Sequence, residues 1–149
     1  MTVLSALLAA AAPAQADIRY SPAGGCWALQ DVNSGRYLER DGDAWKGSAA
    51  TPGDADPLRF QATTLAQYLL FTKDARFLSA SGTTTASPAQ PSGDGDWKIE
   101  PVSAGRFTLV LPESGQRLFV TPQGDAGVGA QGTPFALANV SGCAEYPES

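Results

Sequence analysis

Apolar positions in this chain come in short runs set among Gly, Pro, Asp and Ser, and the runs repeat. Trp27-Ala28-Leu29-Gln30, Tyr68-Leu69-Leu70-Phe71 and Phe107-Thr108-Leu109-Val110-Leu111 have strand length and turn formers on both sides. No segment keeps a helical period with caps at its ends. One phrase, an Arg followed by two apolar residues, occurs three times: Gly35-Arg36-Tyr37-Leu38, Ala75-Arg76-Phe77-Leu78 and Gln116-Arg117-Leu118-Phe119. Its arginines lie 40 and 41 residues apart. A second phrase keeps step at spacings of 39 and 38: Leu58-Arg59-Phe60, Trp97-Lys98-Ile99 and Phe135-Ala136-Leu137. Between the two sits a turn with Gly in second place, Asp41-Gly42, Ser81-Gly82 and Gln123-Gly124. Repetition at this period marks a fold built from equivalent units.

Each unit offers four strands. The pattern predicts them at 27–31, 36–40, 44–48 and 57–62 in the first repeat. In the second they fall at 67–72, 76–80, 83–87 and 96–101, and in the third at 106–111, 117–121, 126–130 and 134–139. The x-Gly dipeptides join the second and third strands of each unit as hairpins. Residues 49–56 and 86–95, rich in Pro, Gly, Ala and Asp, are predicted as connecting loops within one domain.

Twelve short strands in three units resemble a β-trefoil, an all-β fold. Within that superfamily Asn33-Ser34-Gly35-Arg36-Tyr37-Leu38 is most similar to the fascin-type repeat. The resemblance covers residues 26–143. Ricin-B-type lectin trefoils match less well, because their Gln-x-Trp signature is missing from all three fourth strands. Trefoils of this kind resemble recognition modules, proteinase inhibitors and N-terminal modules of exported, amidohydrolase-like hydrolases. The resemblance also implies that the first and last strands meet, which would bring Cys26 and Cys143 together.

Residues 1–16 read as a secretory signal peptide. The apolar run of residues 3–12 is too short to span a bilayer, and Ala14-Gln15-Ala16 is a small-x-small cleavage site, although no Lys or Arg precedes the run. Residues 17–25 form a leader, 26–143 the trefoil domain, and 144–149 a polar tail or the start of a linker. A secreted, extracytoplasmic monomer without membrane insertion is the expectation. The formal net charge of -5 argues against nucleic acid and anionic membranes, since either needs a basic patch. The only two cysteines bracket the domain and, in an oxidising compartment, read as a staple. Two sulfurs without any histidine make a poor zinc site. Ala23-Gly24-Gly25-Cys26 faintly resembles a lipoprotein box, but the apolar run lies too far upstream of it.

Histidine is absent, which removes Ser-His-Asp and Cys-His catalysis and the usual general base. The Gly-rich stretch at 124–129 lacks the Lys-Ser/Thr of a phosphate cradle. The carboxylate pairs Asp41/Asp43, Asp54/Asp56 and Asp94/Asp96 each lie within one turn. Glycoside hydrolysis needs two carboxyls facing across a cleft, and the spacing is not that of a calcium loop, so turn chemistry is their expected role. No catalytic residue, metal ligand or cofactor is expected. The repeated arginines are expected to cover apolar surface with their stems.

Trp45 stands apart, with no aromatic counterpart in the other repeats, whose third strands carry Thr84 and Val128 near that place. Beside the acidic turn it forms a candidate sugar site: ring against the sugar's C–H face, Asp41 and Asp43 accepting from hydroxyls. The alternative is a packing residue at the barrel end. The expected function is therefore a secreted, non-catalytic recognition module with a glycan or polysaccharide as ligand. One alternative is an accessory domain ahead of a downstream catalytic domain. Another is a proteinase inhibitor presenting residues 49–56 or 86–96.

Overall fold

The computed structural model describes residues 17–147; the expected signal peptide lies outside the described residues. Twelve strands follow one another: β1 (Cys26–Asp31), β2 (Tyr37–Asp41), β3 (Ala44–Ala49), β4 (Leu58–Thr64), β5 (Gln67–Phe71), β6 (Ser79–Ser81), β7 (Thr84–Ala86), β8 (Asp96–Ser103), β9 (Arg106–Val110), β10 (Arg117–Val120), β11 (Ala126–Gly129) and β12 (Phe135–Asn139). Two single 3-10 turns, Pro52–Asp54 and Gly93–Gly95, interrupt the loops before β4 and β8.

Six strands close a ring: β1 pairs β4, β4 pairs β5, β5 pairs β8, β8 pairs β9, β9 pairs β12, and β12 returns to β1. The other six form the hairpins β2–β3, β6–β7 and β10–β11. The turn glycines of these hairpins, Gly42, Gly82 and Gly124, all have positive φ (67°, 63° and 97°), which explains their recurrence in the sequence.

Alternation along each strand sends the repeated apolar residues inward. Leu29, Leu70 and Leu109 are fully buried, as are Leu38, Leu78 and Leu118, and Leu58, Trp97 and Phe135. These residues belong to one continuous core with Phe60, Tyr68, Ile99 and Phe107. Three equivalent layers thus account for the period read in the sequence.

The ends are tied down. Cys26 and Cys143 form a disulfide with Cα atoms 5.8 Å apart, across 117 residues of chain. The leader packs Ile18 on the core, and the Tyr68 hydroxyl donates to the Arg19 carbonyl at 2.7 Å. Beyond the disulfide the chain is not loose: Arg59 Nε donates to the Ala144 carbonyl, and the Tyr146 ring stands edge-on to Phe71 at 5.0 Å.

The hairpin of the second repeat departs from expectation. Instead of 76–80, β6 begins at Ser79. Phe77 leaves the hairpin ladder, its N–H donating to the Pro88 carbonyl, and its ring joins Phe71 and Tyr146. Packing of one aromatic cluster has displaced one turn of strand pairing.

Candidate functional site

The three hairpins meet their neighbours in the same way. Gly47 N–H donates to the Gly124 carbonyl where repeat three meets repeat one, and Val128 N–H to the Thr83 carbonyl where repeat two meets repeat three. Where repeat one meets repeat two, Ser87 Oγ donates to the Asp43 carbonyl and the Trp45 N–H to Thr85 Oγ1. The first junction carries a cleft. A hollow of about 220 Å³ is lined by Ser34, Arg36, Ser48, Thr121, Pro122 and Gln123, over the Gly47–Gly124 contact. A second hollow of about 400 Å³ adjoins it, sharing Ser34, Thr121 and Pro122 and adding Asp31, Asn33 and Val120.

The cleft is built from tight local structure. A Cβ at Gly47 would lie 2.9 Å from Val120 Cγ1, so only glycine lets the two repeats approach this closely. Asp31 is buried (2% exposed) and accepts from the Asn33 N–H and the Ser34 hydroxyl, both at 2.9 Å, which fixes the 31–36 turn as one wall. Arg36 Nη1 donates to the Ser48 carbonyl at 3.2 Å and the Ser48 hydroxyl to Glu39 at 2.7 Å. At the rim, Lys46 stands between Asp41 (3.2 Å) and Asp125 (4.0 Å).

Trp45 does not line this cleft. It is 1% exposed, within the core, between the outward-pointing Ala44 and Lys46, and its Nε1 donates to the Ala86 carbonyl at 3.2 Å. A stacking platform needs a ring face open to solvent, and this ring has none. The packing alternative is what the structure shows. Trp45 pairs across its hairpin with Arg40, as Thr85 pairs with Ala80 and Ala126 with Val120. Its counterparts are therefore Thr85 and Ala126, each one or two residues from the positions expected, and one large ring takes the room two small side chains leave. Asp41 and Asp43 remain exposed on the turn and line neither hollow; Asp41 pairs with Lys46 at 3.2 Å.

The arginines also separate. Arg36 and Arg76 are true equivalents: their Nη1 atoms donate to the carbonyls of Ser48 and Ser87, both at 3.2 Å. Arg117 sits one place further along, aligned with Tyr37 and Phe77 by the buried Leu38, Leu78 and Leu118, and it pairs with Glu100 at 2.8 Å. None forms a convergent anion site. The carboxylate pairs stay in their loops: Asp56 accepts from the Arg40 N–H at 2.6 Å and Asp96 from the Thr63 hydroxyl at 2.8 Å. Among the described residues no group of three His, Cys, Asp or Glu side chains could hold a metal ion, and no helix is long and apolar enough to cross a membrane.

No known protein-family profile matches the sequence, and no curated protein sequence matches it. Solved structures do. A GH43 β-1,3-galactosidase superposes with a TM-score of 0.70 at 15% identity, over 85% of this chain and 29% of that one. SeviL, solved bound to asialo-GM1 saccharide, gives 0.67 at 16% identity over 78% of this chain and 98% of its own. The BEL β-trefoil gives 0.66 at 16% identity over 79% and 94%.

The fold is a β-trefoil. At these identities the likeness speaks to fold alone. This trefoil spans less than a third of the galactosidase chain it matches. The cleft itself was not legible in the sequence, because its two walls, the 31–36 turn and the Gln123-Gly124 turn, are far apart in the chain. A signal was nonetheless present. Gly47 breaks the third-strand pattern of repeat one, and an unrequired glycine inside a strand marks a close backbone approach.

Proposed function

We propose that this trefoil is an exported, non-catalytic carbohydrate-recognition module whose cleft between repeats one and three takes sugar hydroxyls. The observation that carries the reading is the lining of that cleft. Thr121 and Gln123 offer neutral donors and acceptors, and the Ser34 and Ser48 hydroxyls, whose protons go to Asp31 and Glu39, offer acceptors, beside the apolar edge of Pro122 and one guanidinium from Arg36. Pyranoses need that mixture of convergent polar groups and a small apolar face. Asp41, paired with Lys46 next to the Gly47 of the cleft floor, would accept from a hydroxyl of a longer glycan. Closure of the ends by a disulfide supports export, since such bonds persist in oxidising compartments.

The test is a glycan array probed with the disulfide-bonded protein beside Gln123→Ala and Asp41→Ala. Binding to a defined set of glycans, weakened at least several-fold by Gln123→Ala, is the expected result. An array without any signal contradicts the reading.

A second reading has one observation in its favour: the same architecture occurs within a much longer GH43 β-1,3-galactosidase chain. On that view the trefoil is an accessory domain that holds a catalytic domain on its polymeric substrate. Co-expression with sequence encoded downstream in the same reading frame tests it.

A further inference from the structure

We infer that Phe119, on the outer face of repeat three, is the stacking platform of a second sugar subsite that takes one neutral pyranose by its C–H face. The inference rests on the carbohydrate reading for its ligand class, but on different residues.

The repeats diverge at position 119. Counting from the buried leucines Leu38, Leu78 and Leu118, its counterparts are Glu39 and Ser79. Glu39 is half-buried and accepts from Ser48. Ser79 is 2% exposed under the turn Gly93–Gly95, where a Cβ on Gly95 would collide with Ser79 Oγ. Phe119 is covered by nothing comparable. The loop between β11 and β12, residues 130–134, is shorter than those of residues 50–57 and 87–95 and has no 3-10 turn. Its end is tied beside β10, as Asp56 is beside β2: Thr133 N–H donates to the Leu118 carbonyl, Thr133 Oγ1 accepts from the Val120 N–H at 2.8 Å, and Val32 N–H binds the Pro134 carbonyl.

One face of the ring is already used. Phe119 lies across Gly127 and Gly129 of β11: a Cβ on Gly127 would stand 2.8 Å from Cζ, and one on Gly129 3.4 Å from Cε2. Two glycines at alternate positions thus form a flat bed for the ring, which, like Glu39, is partly buried. Beyond it opens a hollow of about 420 Å³, lined by Phe119, Gly129, Ala130, Gln131, Gly132 and Thr133. The hollow is shallow and open on its outer side, a shape that takes a ring by one face.

The chemistry of the lining selects the ligand. A ring face is electron-rich and attracts the weakly positive C–H groups of a pyranose. The Gln131 amide, exposed at the edge, can both donate and accept toward hydroxyls. No lining side chain is charged, and the nearest cation, Arg117, is consumed by Glu100 at 2.8 Å. With a net charge of -5 on the chain, an anionic glycan meets repulsion and no compensating partner. A neutral hexopyranose fits; a uronate or sulfated sugar does not. Because ring and loop are fixed before binding, little ordering is required.

The experiment is a two-dimensional amide NMR titration of the intact protein with methyl β-D-galactopyranoside and methyl β-D-glucopyranoside, with glucuronate as the charged control. The amides of Gly129, Gln131 and Gly132 report the Phe119 shelf; those of Gly47 and Gly124 report the cleft. Expected are saturable shifts at the shelf with a neutral sugar, weaker with glucuronate. They should fall at least ten-fold in apparent affinity in Phe119→Ala. Phe119→Leu, which keeps apolar volume without a flat ring, should lose most of the binding while holding the native spectrum. Shifts confined to Gly47 and Gly124 overturn the shelf and leave the cleft reading standing. Shifts at neither site overturn both. Shelf shifts unchanged in Phe119→Leu show that the ring is not the platform.

Discussion

The indole Nε1 of Trp45, in repeat one, donates to the backbone carbonyl of Ala86, in repeat two, at 3.2 Å. One side chain thereby joins two repeats and fills the place that Thr85 and Ala126 leave open. Trp45→Ala should cost about 3–5 kcal/mol, the range for deleting a large buried aromatic. Trp45→Phe should cost less, losing the hydrogen bond and part of the volume. Urea midpoints of the two variants check this. A Trp45→Ala protein of wild-type stability would contradict the packing role.

Arg40 and Asp74 form a second tie between the same repeats, at 2.6 Å. The Thr72 hydroxyl first, and then the Arg40 guanidinium, hold the Asp74 carboxyl below the usual carboxylate range. A carboxyl whose pKa is depressed on folding binds fewer protons folded than unfolded. Its stabilisation is therefore complete above the unfolded value, near 3.9, and disappears as pH falls through the lower folded value. Asp74→Asn should be modestly less stable than wild type near neutrality, because the pair is half-exposed and screened. The difference should shrink below the usual Asp pKa and vanish once pH has fallen through the lower folded value. Urea midpoints of both proteins against pH show it; a pH-independent difference would rule the ion pair out as its source.

Much of this architecture was readable in advance. Eleven of the predicted strands coincide with observed ones to within about two residues, because each needs only alternation and a turn signal. The second-repeat strand at 76–80 starts late although the turn before it is the same, with Ala75 at φ 64° where the other repeats have Gly35 and Gly115 at 78° and 77°. Phe77 is then drawn into an aromatic cluster with Tyr146, from the far end of the chain. Trp45 reads as a site because it is unique, yet it is buried in the core and bonded to Thr85 and Ala86 of the next repeat. Phe119 is hidden for the opposite reason. It reads as the second apolar residue of a repeated phrase, although its register is shifted by the one-residue displacement of Arg117. The alternate glycines Gly127 and Gly129 on the facing strand were the available clue.

The disulfide should dominate the response to reduction. Closing a loop of 117 residues contributes about 4–5 kcal/mol on the chain-entropy account. Reduction by dithiothreitol should lower Tm by roughly 10 °C or more for a domain of this size. Thiol titration of the unfolded, unreduced protein should find no free cysteine. A Tm indifferent to reductant would mean the bond does not constrain the unfolded chain in solution.

The role proposed for this trefoil is recognition of neutral carbohydrate without altering it. Affinity electrophoresis of the disulfide-bonded protein through gels cast with neutral galactan, xylan or β-glucan tests that most directly, with the gel polymer recovered and sized afterwards. The account predicts retardation on at least one neutral polymer and none on polygalacturonate, with polymer length unchanged. Unretarded migration through every neutral polymer, or shortening of the polymer that retards it, would contradict it.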